Sequence, residues 1–244
     1  GMEYPMCTLI MGEGSQAGLN GVMAHEVTHS WYQMALASNE SLYAWMDEGF
    51  TDFASEEAMN TIFNESIDHA GSYRSYFSLV ASGLQEPASQ HSDHFNTNRA
   101  YGTAAYSMGS VFPHQLKYIM GTDNFYTGIK RYYNTWKMKH PEPNDFLRVM
   151  EKTSNMQLHW YYRYWIQTTK RIDYGINLVV EKEGNTLIEL QRVGEFPMPI
   201  DLLVKYKDGI EELIYIPLNE MMGSKPKENS TTRTELTPWP WVNP

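Results

Sequence analysis

Apolar positions follow a helical period through most of the chain and a strand period near its end, with the change close to Ile172. Met2 to Ile10 reads as a strand, and Gly12 to Gly21 as a loop. A helix is predicted from about Val22 to Leu36. After a short connection with Asn39 and Ser41, Leu42, Trp45, Met46, Phe50 and Phe53 recur at helical spacing, placing Glu48 and Asp52 together on the other face. Gln85 to Thr103, rich in His, Ser and Asn, reads as a long loop. Helical spacing resumes from Ala104 to about Thr169, punctuated by Gly121-Thr122-Asp123 and by the helix start at Pro141 to Asp145.

Beyond Ile172 the apolar runs are short. Ile176–Val180, Thr186–Leu190, Ile200–Val204 and Leu213–Ile216 predict strands, with Glu183-Gly184-Asn185 and Lys207-Asp208-Gly209 as turns. Gly223 to Thr237 reads as a polar loop. The expected class is α+β, with a mainly helical domain over 1–171 and a small antiparallel β-sandwich over 172–244.

Composition narrows this picture only slightly. Of 244 residues, 42% are hydrophobic and 14% aromatic, enough for a packed core. A net charge of −10 speaks against a nucleic-acid partner and is compatible with cationic peptide substrates. Cys7 stands alone, so no intrachain disulfide forms and no cysteine-ligated metal is expected. No apolar run reaches membrane-spanning length. With no leader at its start and an apolar stretch from Thr237 to Pro244 at its end, the chain reads as a piece of a longer protein. The compartment stays open, an exported or periplasmic one being favoured over the cytoplasm.

The candidate chemistry lies in His25-Glu26-Val27-Thr28-His29. On a helix, H-E-x-x-H sets two imidazoles one turn apart on one face, within reach of a single cation. One zinc ion per chain, held by His25, His29 and Glu48, would keep a fourth position for water. Glu26 is then free to act as the base, and Asp52, one turn beyond Glu48, to orient a metal-bound imidazole. His91-Ser92-Asp93-His94 has no partner at helical spacing and reads as a solvated loop. His69, His114, His140 and His159 read as surface or packing residues, and the rings from Trp160 to Trp165 as core.

His25-Glu26-x-x-His29 followed by eighteen residues and Glu48 resembles the gluzincin metallopeptidases, specifically the aminopeptidase N and leukotriene hydrolase family. Glu48-Gly49-Phe50-Thr51-Asp52 also resembles a segment of thermolysin, which implies a thermolysin-like catalytic domain. Upstream, Gly1-Met2-Glu3-Tyr4 is similar to the family's G-x-M-E-N segment. The resemblance makes Glu3 the anchor for a substrate's α-amine and sets Met2 alongside the peptide. Downstream, Tyr106-Ser107-Met108-Gly109 resembles the Y-x-x-G segment, whose tyrosine donates to the oxyanion; Tyr101 matches a second tyrosine of the leukotriene branch but reads as packing.

The chain departs from the family's pattern at Tyr4, where Asn is usual, at Gln33-Met34, and at Ser55, where a glutamate is common. The activity implied is removal of N-terminal residues from peptides with a free amino terminus. A thermolysin-type endopeptidase and a non-catalytic domain that keeps the fold are the alternatives. The family's N-terminal β domain, which packs on the cleft, is not within this sequence, so the isolated chain is expected to be weakly active or inactive.

Overall fold

A computed structural model describes residues 1–12, 14–64, 66, 68–227 and 232–239. The last five residues of the stretch read above as the chain's apolar end lie outside the described residues. Eight α-helices come first among the described residues: α1 (Gln16–Thr28), α2 (Ala44–Phe63), α3 (Ala70–Ser82), α4 (Asn98–Gly102), α5 (Gly109–Met120), α6 (Thr122–Trp136), α7 (Pro143–Ser154) and α8 (His159–Gln167). Five strands follow: β1 (Tyr174–Lys182), β2 (Asn185–Arg192), β3 (Ile200–Lys205), β4 (Glu211–Ile216) and β5 (Arg233–Glu235). The α+β class therefore holds. No helix among the described residues is long and apolar enough to cross a membrane.

The start of the chain differs from the expected strand. Met2 and Leu9 exchange backbone hydrogen bonds across a turn closed by Cys7 N–H on Tyr4 C=O at 3.0 Å. Pro5 presets the φ of the first central position, and Met6 takes a φ of 61° at the second. Helix α1 also begins earlier than expected, because the Ser15 hydroxyl accepts from Gly18 N–H and caps it. It ends sooner as well. Beyond His29 the chain makes a π-helical turn, Ser30–Ala35, in which Tyr32 and Gln33 leave helical geometry. Within the predicted long loop, α4 is capped by Thr97.

The helices enclose an aromatic core in which Trp45 and Phe50 of α2 meet Phe112 of α5, itself stacked on Tyr161 of α8. Gly49 and Gly109 let α2 and α5 touch backbone to backbone. A Cβ on Gly49 would lie 2.3 Å from Gly109 Cα, and one on Gly109 2.7 Å from Gly49 Cα. Only glycine permits that approach.

Strands β1 and β2 form an antiparallel hairpin. In the second sheet β3 and β4 pair antiparallel, and β5, within the expected polar loop, runs parallel to β4. In the connection from β2 to β3, Phe196 is fully buried against α8, stacked on Tyr164 with ring centroids 5.1 Å apart and close to Trp165. Of the rings from Trp160 to Trp165, Trp160, Tyr161 and Trp165 belong to the core, and Tyr162 and Tyr164 pack against it partly buried.

Candidate metal centre

Helix α1 delivers His25 in its last turn and His29 as its C-terminal cap. Their Nε2 atoms are 3.0 Å apart, and Glu48 Oε2 lies 3.1 Å from the first and 3.3 Å from the second. These edges match a tetrahedral zinc face, whose ligand–ligand edge is about 3.3 Å for zinc–nitrogen bonds of about 2.0–2.1 Å. Three donors converging on one point, with no lysine or arginine among them, are chemically suited to a divalent metal. The structure thus brings the three expected ligands together.

Each imidazole is also held from behind. His25 Nδ1 donates to Asp52 Oδ1 at 2.9 Å, the contact expected from the sequence. His29 Nδ1 faces Thr51 Oγ1 at 3.2 Å and lies 2.9 Å from Asp47 Oδ1, the latter an ion-pair contact rather than an aligned hydrogen bond. Asp47 and Thr51 are buried partners that the hydrophobic pattern did not single out. Their place one residue before Glu48 and three after it was the available signal.

Glu26 is buried, and its Oε2 has no hydrogen-bond partner among the described residues. Glu3 is buried too, with a carboxylate oxygen within 4.8 Å of donor atoms on Glu26 and His29, and likewise of Asp47 and Glu48. Met2 is engaged through its backbone with Leu9. Tyr106 sits on a second π-helical turn, Thr103–Met108. Its hydroxyl donates to Glu48 Oε1 at 2.6 Å, and its ring stacks on His25 with centroids 5.8 Å apart. The indole of Trp165 steadies that turn by donating to Met108 C=O at 2.9 Å. Tyr101 packs edge-on against Phe95, in keeping with an ordinary packing role. The His91–His94 segment joins none of the convergent donor groups. His69 is buried behind α2, with Nδ1 2.8 Å from Glu56 Oε2.

In the metal-free chain the carboxylates dominate the local electrostatics. Burial works against a charged His25, but Asp52 and Glu48 outweigh it and push the imidazole up to about 9. His29 rises to about 10, where burial is outweighed by Asp47 and Glu48. Burial likewise opposes a charged Glu48, yet hydrogen bonds from His25, His29 and Tyr106 bring it down to about 2. Burial and the contact with Glu48 push the Tyr106 phenol far up, so it stays a proton donor at neutral pH.

A two-helix cradle with H-E-x-x-H on one helix and a convergent carboxylate on the next has the architecture of a metallopeptidase. The chain belongs to peptidase family M1: the Peptidase family M1 domain matches residues 10–165. It is 24% identical over 164 residues to a leukotriene A-4 hydrolase homolog of Botryotinia fuckeliana, covering 60% of this chain and 24% of that protein. To aminopeptidase N of Escherichia coli it is 23% identical over 185 residues, covering 72% of this chain and 21% of that protein. The chain thus spans less than a quarter of the length of these relatives.

Among solved structures, Legionella pneumophila aminopeptidase A in complex with aspartic acid has a TM-score of 0.55 at 15% identity, over 81% of this chain and 23% of that one. A mutant M1 zinc metallopeptidase from Deinococcus radiodurans bound to a Tyr-Ser-Ala substrate has a TM-score of 0.51 at 17% identity, over 60% of this chain and 32% of that one. These likenesses concern the fold.

Proposed function

We propose that the chain carries the catalytic centre of a zinc-dependent aminopeptidase, which removes residues from the free amino terminus of peptides. The observation that carries this reading is the convergence of His25, His29 and Glu48 beside the buried, unpartnered oxygen of Glu26. Residues 1–171 would form the catalytic domain and 172–244 a β domain. Zinc held by the three donors supplies Lewis-acid chemistry, acidifying a water and polarising the scissile carbonyl.

The chain's own groups do the rest. Glu26 accepts the water's proton and returns it to the leaving amine. Tyr106 turns its hydroxyl from Glu48 toward the oxyanion and stabilises it. Asp52, Asp47 and Thr51 fix the two imidazole rings. Glu3 receives the substrate's α-ammonium, and its burial beside Glu26 favours an exopeptidase over the endopeptidase alternative.

Replacing Glu26 with glutamine tests the division of roles. Hydrolysis of an aminoacyl amide is expected to fall by about 10²–10⁴-fold while one zinc per chain is retained. Loss of zinc from the Glu26→Gln chain would show that Glu26 is a ligand and not the base.

Zinc uptake should also release protons. Zinc needs neutral imidazoles, whereas the metal-free site holds His25 and His29 at about 9 and 10, well above the ordinary 6.5. Metal-free stabilisation from these rings is complete below 6.5 and is lost as pH rises through those two values. Zinc affinity runs the opposite way and rises over the same window. Titration calorimetry at pH ~7, repeated in buffers of different ionisation enthalpy, should find about one to two protons released per zinc. A release of none contradicts the assignment of the two imidazoles.

A further inference from the structure

A cavity of about 240 Å³ lies between α3, α5 and α8, where the chain leaves α8 for β1. None of its lining residues belongs to the convergent donor groups. Tyr76 and Trp165, both buried, form its floor with ring centroids 5.0 Å apart. Phe77, 59% exposed and 5.4 Å from Tyr76, stands at the mouth. Val80 and Ile172 complete the apolar wall. The space has room for about eight waters, or for one aromatic ring on a short arm.

The polar groups left for an occupant are donors. Gln115 uses its amide oxygen on the Tyr161 hydroxyl at 3.1 Å, which leaves its NH2 group. The Tyr73 hydroxyl is engaged with His114 Nδ1 at 3.1 Å, and the Trp165 N–H with Met108 C=O. Arg171 is the single charged residue on the lining, and no carboxylate pairs with its guanidinium among the described residues. Its backbone is pinned, since Arg171 C=O accepts from Phe196 N–H at 3.0 Å. Its charge acts on the cavity floor: burial pushes the Tyr76 phenol up, and Arg171 works against that rise. No aspartate or glutamate lines the space, so it is locally cationic in a chain of net charge −10.

We propose that this cavity is a binding site for an aromatic carboxylate, a single ring on a short arm that ends in an acid group. The ring enters between Tyr76, Trp165 and Phe77, where offset and edge-on contacts are available on three sides. The acid group stays toward the mouth and accepts from the Arg171 guanidinium, with the Gln115 NH2 as a second donor on the wall. An amine of the same shape meets like charge at Arg171. An alcohol of the same shape keeps the ring contacts and forgoes the charge. Nothing in this inference uses the metal donors, so it stands or falls apart from the aminopeptidase reading.

Titration calorimetry on the whole chain tests it, with hydrocinnamate as the probe and hydrocinnamyl alcohol and hydrocinnamyl amine as controls of matched shape. The acid is expected to bind with a dissociation constant of about 1 mM or tighter. It should bind about fivefold tighter than the alcohol, a modest factor because Arg171 is exposed, and at least about tenfold tighter than the amine. Arg171→Gln should bring acid and alcohol within about twofold of each other and leave the alcohol unchanged. Phe77→Ala, at an exposed position where folding is not at stake, should weaken acid and alcohol alike by about threefold.

N-acetyl-phenylalanine separates the two sources of such a group. Binding as tight as that of hydrocinnamate supports the site with the carboxy terminus of a peptide as its occupant, and clearly weaker binding supports it with a free acid. No binding of the acid, acid and amine binding alike, or a preference for the acid that survives Arg171→Gln each overturns the proposal. So does acid binding that Phe77→Ala leaves untouched.

Discussion

A His29→Ala chain is expected to lose its zinc and also to fold less stably when no metal is present. The second effect comes from what the ring holds in place. His29 is 1% exposed, 2.9 Å from the equally buried Asp47, and 3.2 Å from the Thr51 hydroxyl. Alanine leaves Asp47, whose carboxyl is pushed up to about 7 by burial, without the partner that lowers it. Asp47 then takes up a proton and stays as a buried carboxyl short of hydrogen bonds, a loss of about 1–3 kcal/mol. Metal analysis and denaturant unfolding of the apo chain read the two consequences separately. A chain that keeps one zinc would remove His29 from the ligand set, and one that keeps its apo stability would remove Asp47 as a charged partner. Thr51→Val, which deletes only a hydroxyl, should cost zinc affinity about 10–100-fold through ring orientation.

The second large effect is expected at Gly49, which never touches the metal. In a Gly49→Ala chain the new methyl meets Gly109 backbone atoms at 2.3 Å, and backbone cannot rotate aside as a side chain does. Overpacking costs about 1–3 kcal/mol, and this site belongs at the upper end because both partners are main chain. The helices must part, and the two elements that part carry Glu48 and lead into Tyr106. Zinc should remain bound, with the 2.6 Å bond between Tyr106 and Glu48 lost. Thermal unfolding would report the lost stability, and comparison of the hydrolysis rate with that of a Tyr106→Phe chain the lost bond. Gly71→Ala is the control: nothing lies within 4 Å of its Cβ, so stability should hold or rise slightly. Equal behaviour of the two variants would mean the contact between α2 and α5 carries no weight.

How far the site could be read from the sequence depended on the distance over which its residues cooperate. His25, Glu26 and His29 lie within one helical turn, where spacing alone fixes direction. Asp52 follows Glu48 by one turn, and the same periodicity brought it to His25. Asp47 and Thr51 escaped notice because the first turns of α2 are buried nearly all round, leaving no apolar stripe against which a polar residue stands out. The contact of Gly49 with Gly109 joins two elements far apart in sequence, so no local pattern announces it. Tyr106 was placed by family resemblance alone, and its hydroxyl is found on a proposed metal ligand.

The fold shows the same division. The helices beyond Ala104 and the hairpin turns are legible from periodicity and turn residues, whereas α3 carries no expectation from the sequence. The first residues carry a strand pattern, but Pro5 and Met6 turn the chain back on itself. The break after His29 was missed because Tyr32 and Gln33 carry no breaker signal such as glycine or proline. Strand β5 is three residues long and pairs parallel with β4, which leaves too short a pattern to recognise.

Phe196 gives the strand segment a route to the reacting end of the molecule. Its ring lies 6.3 Å from that of Trp165, whose indole N–H holds Met108 C=O, the last carbonyl of the turn that bears Tyr106. Two contacts therefore separate a residue of the β2–β3 connection from the turn that carries the phenol. The turn that bears Tyr106 thus rests on the same indole that packs against Phe196, so the strand segment and the reacting end share one supporting side chain.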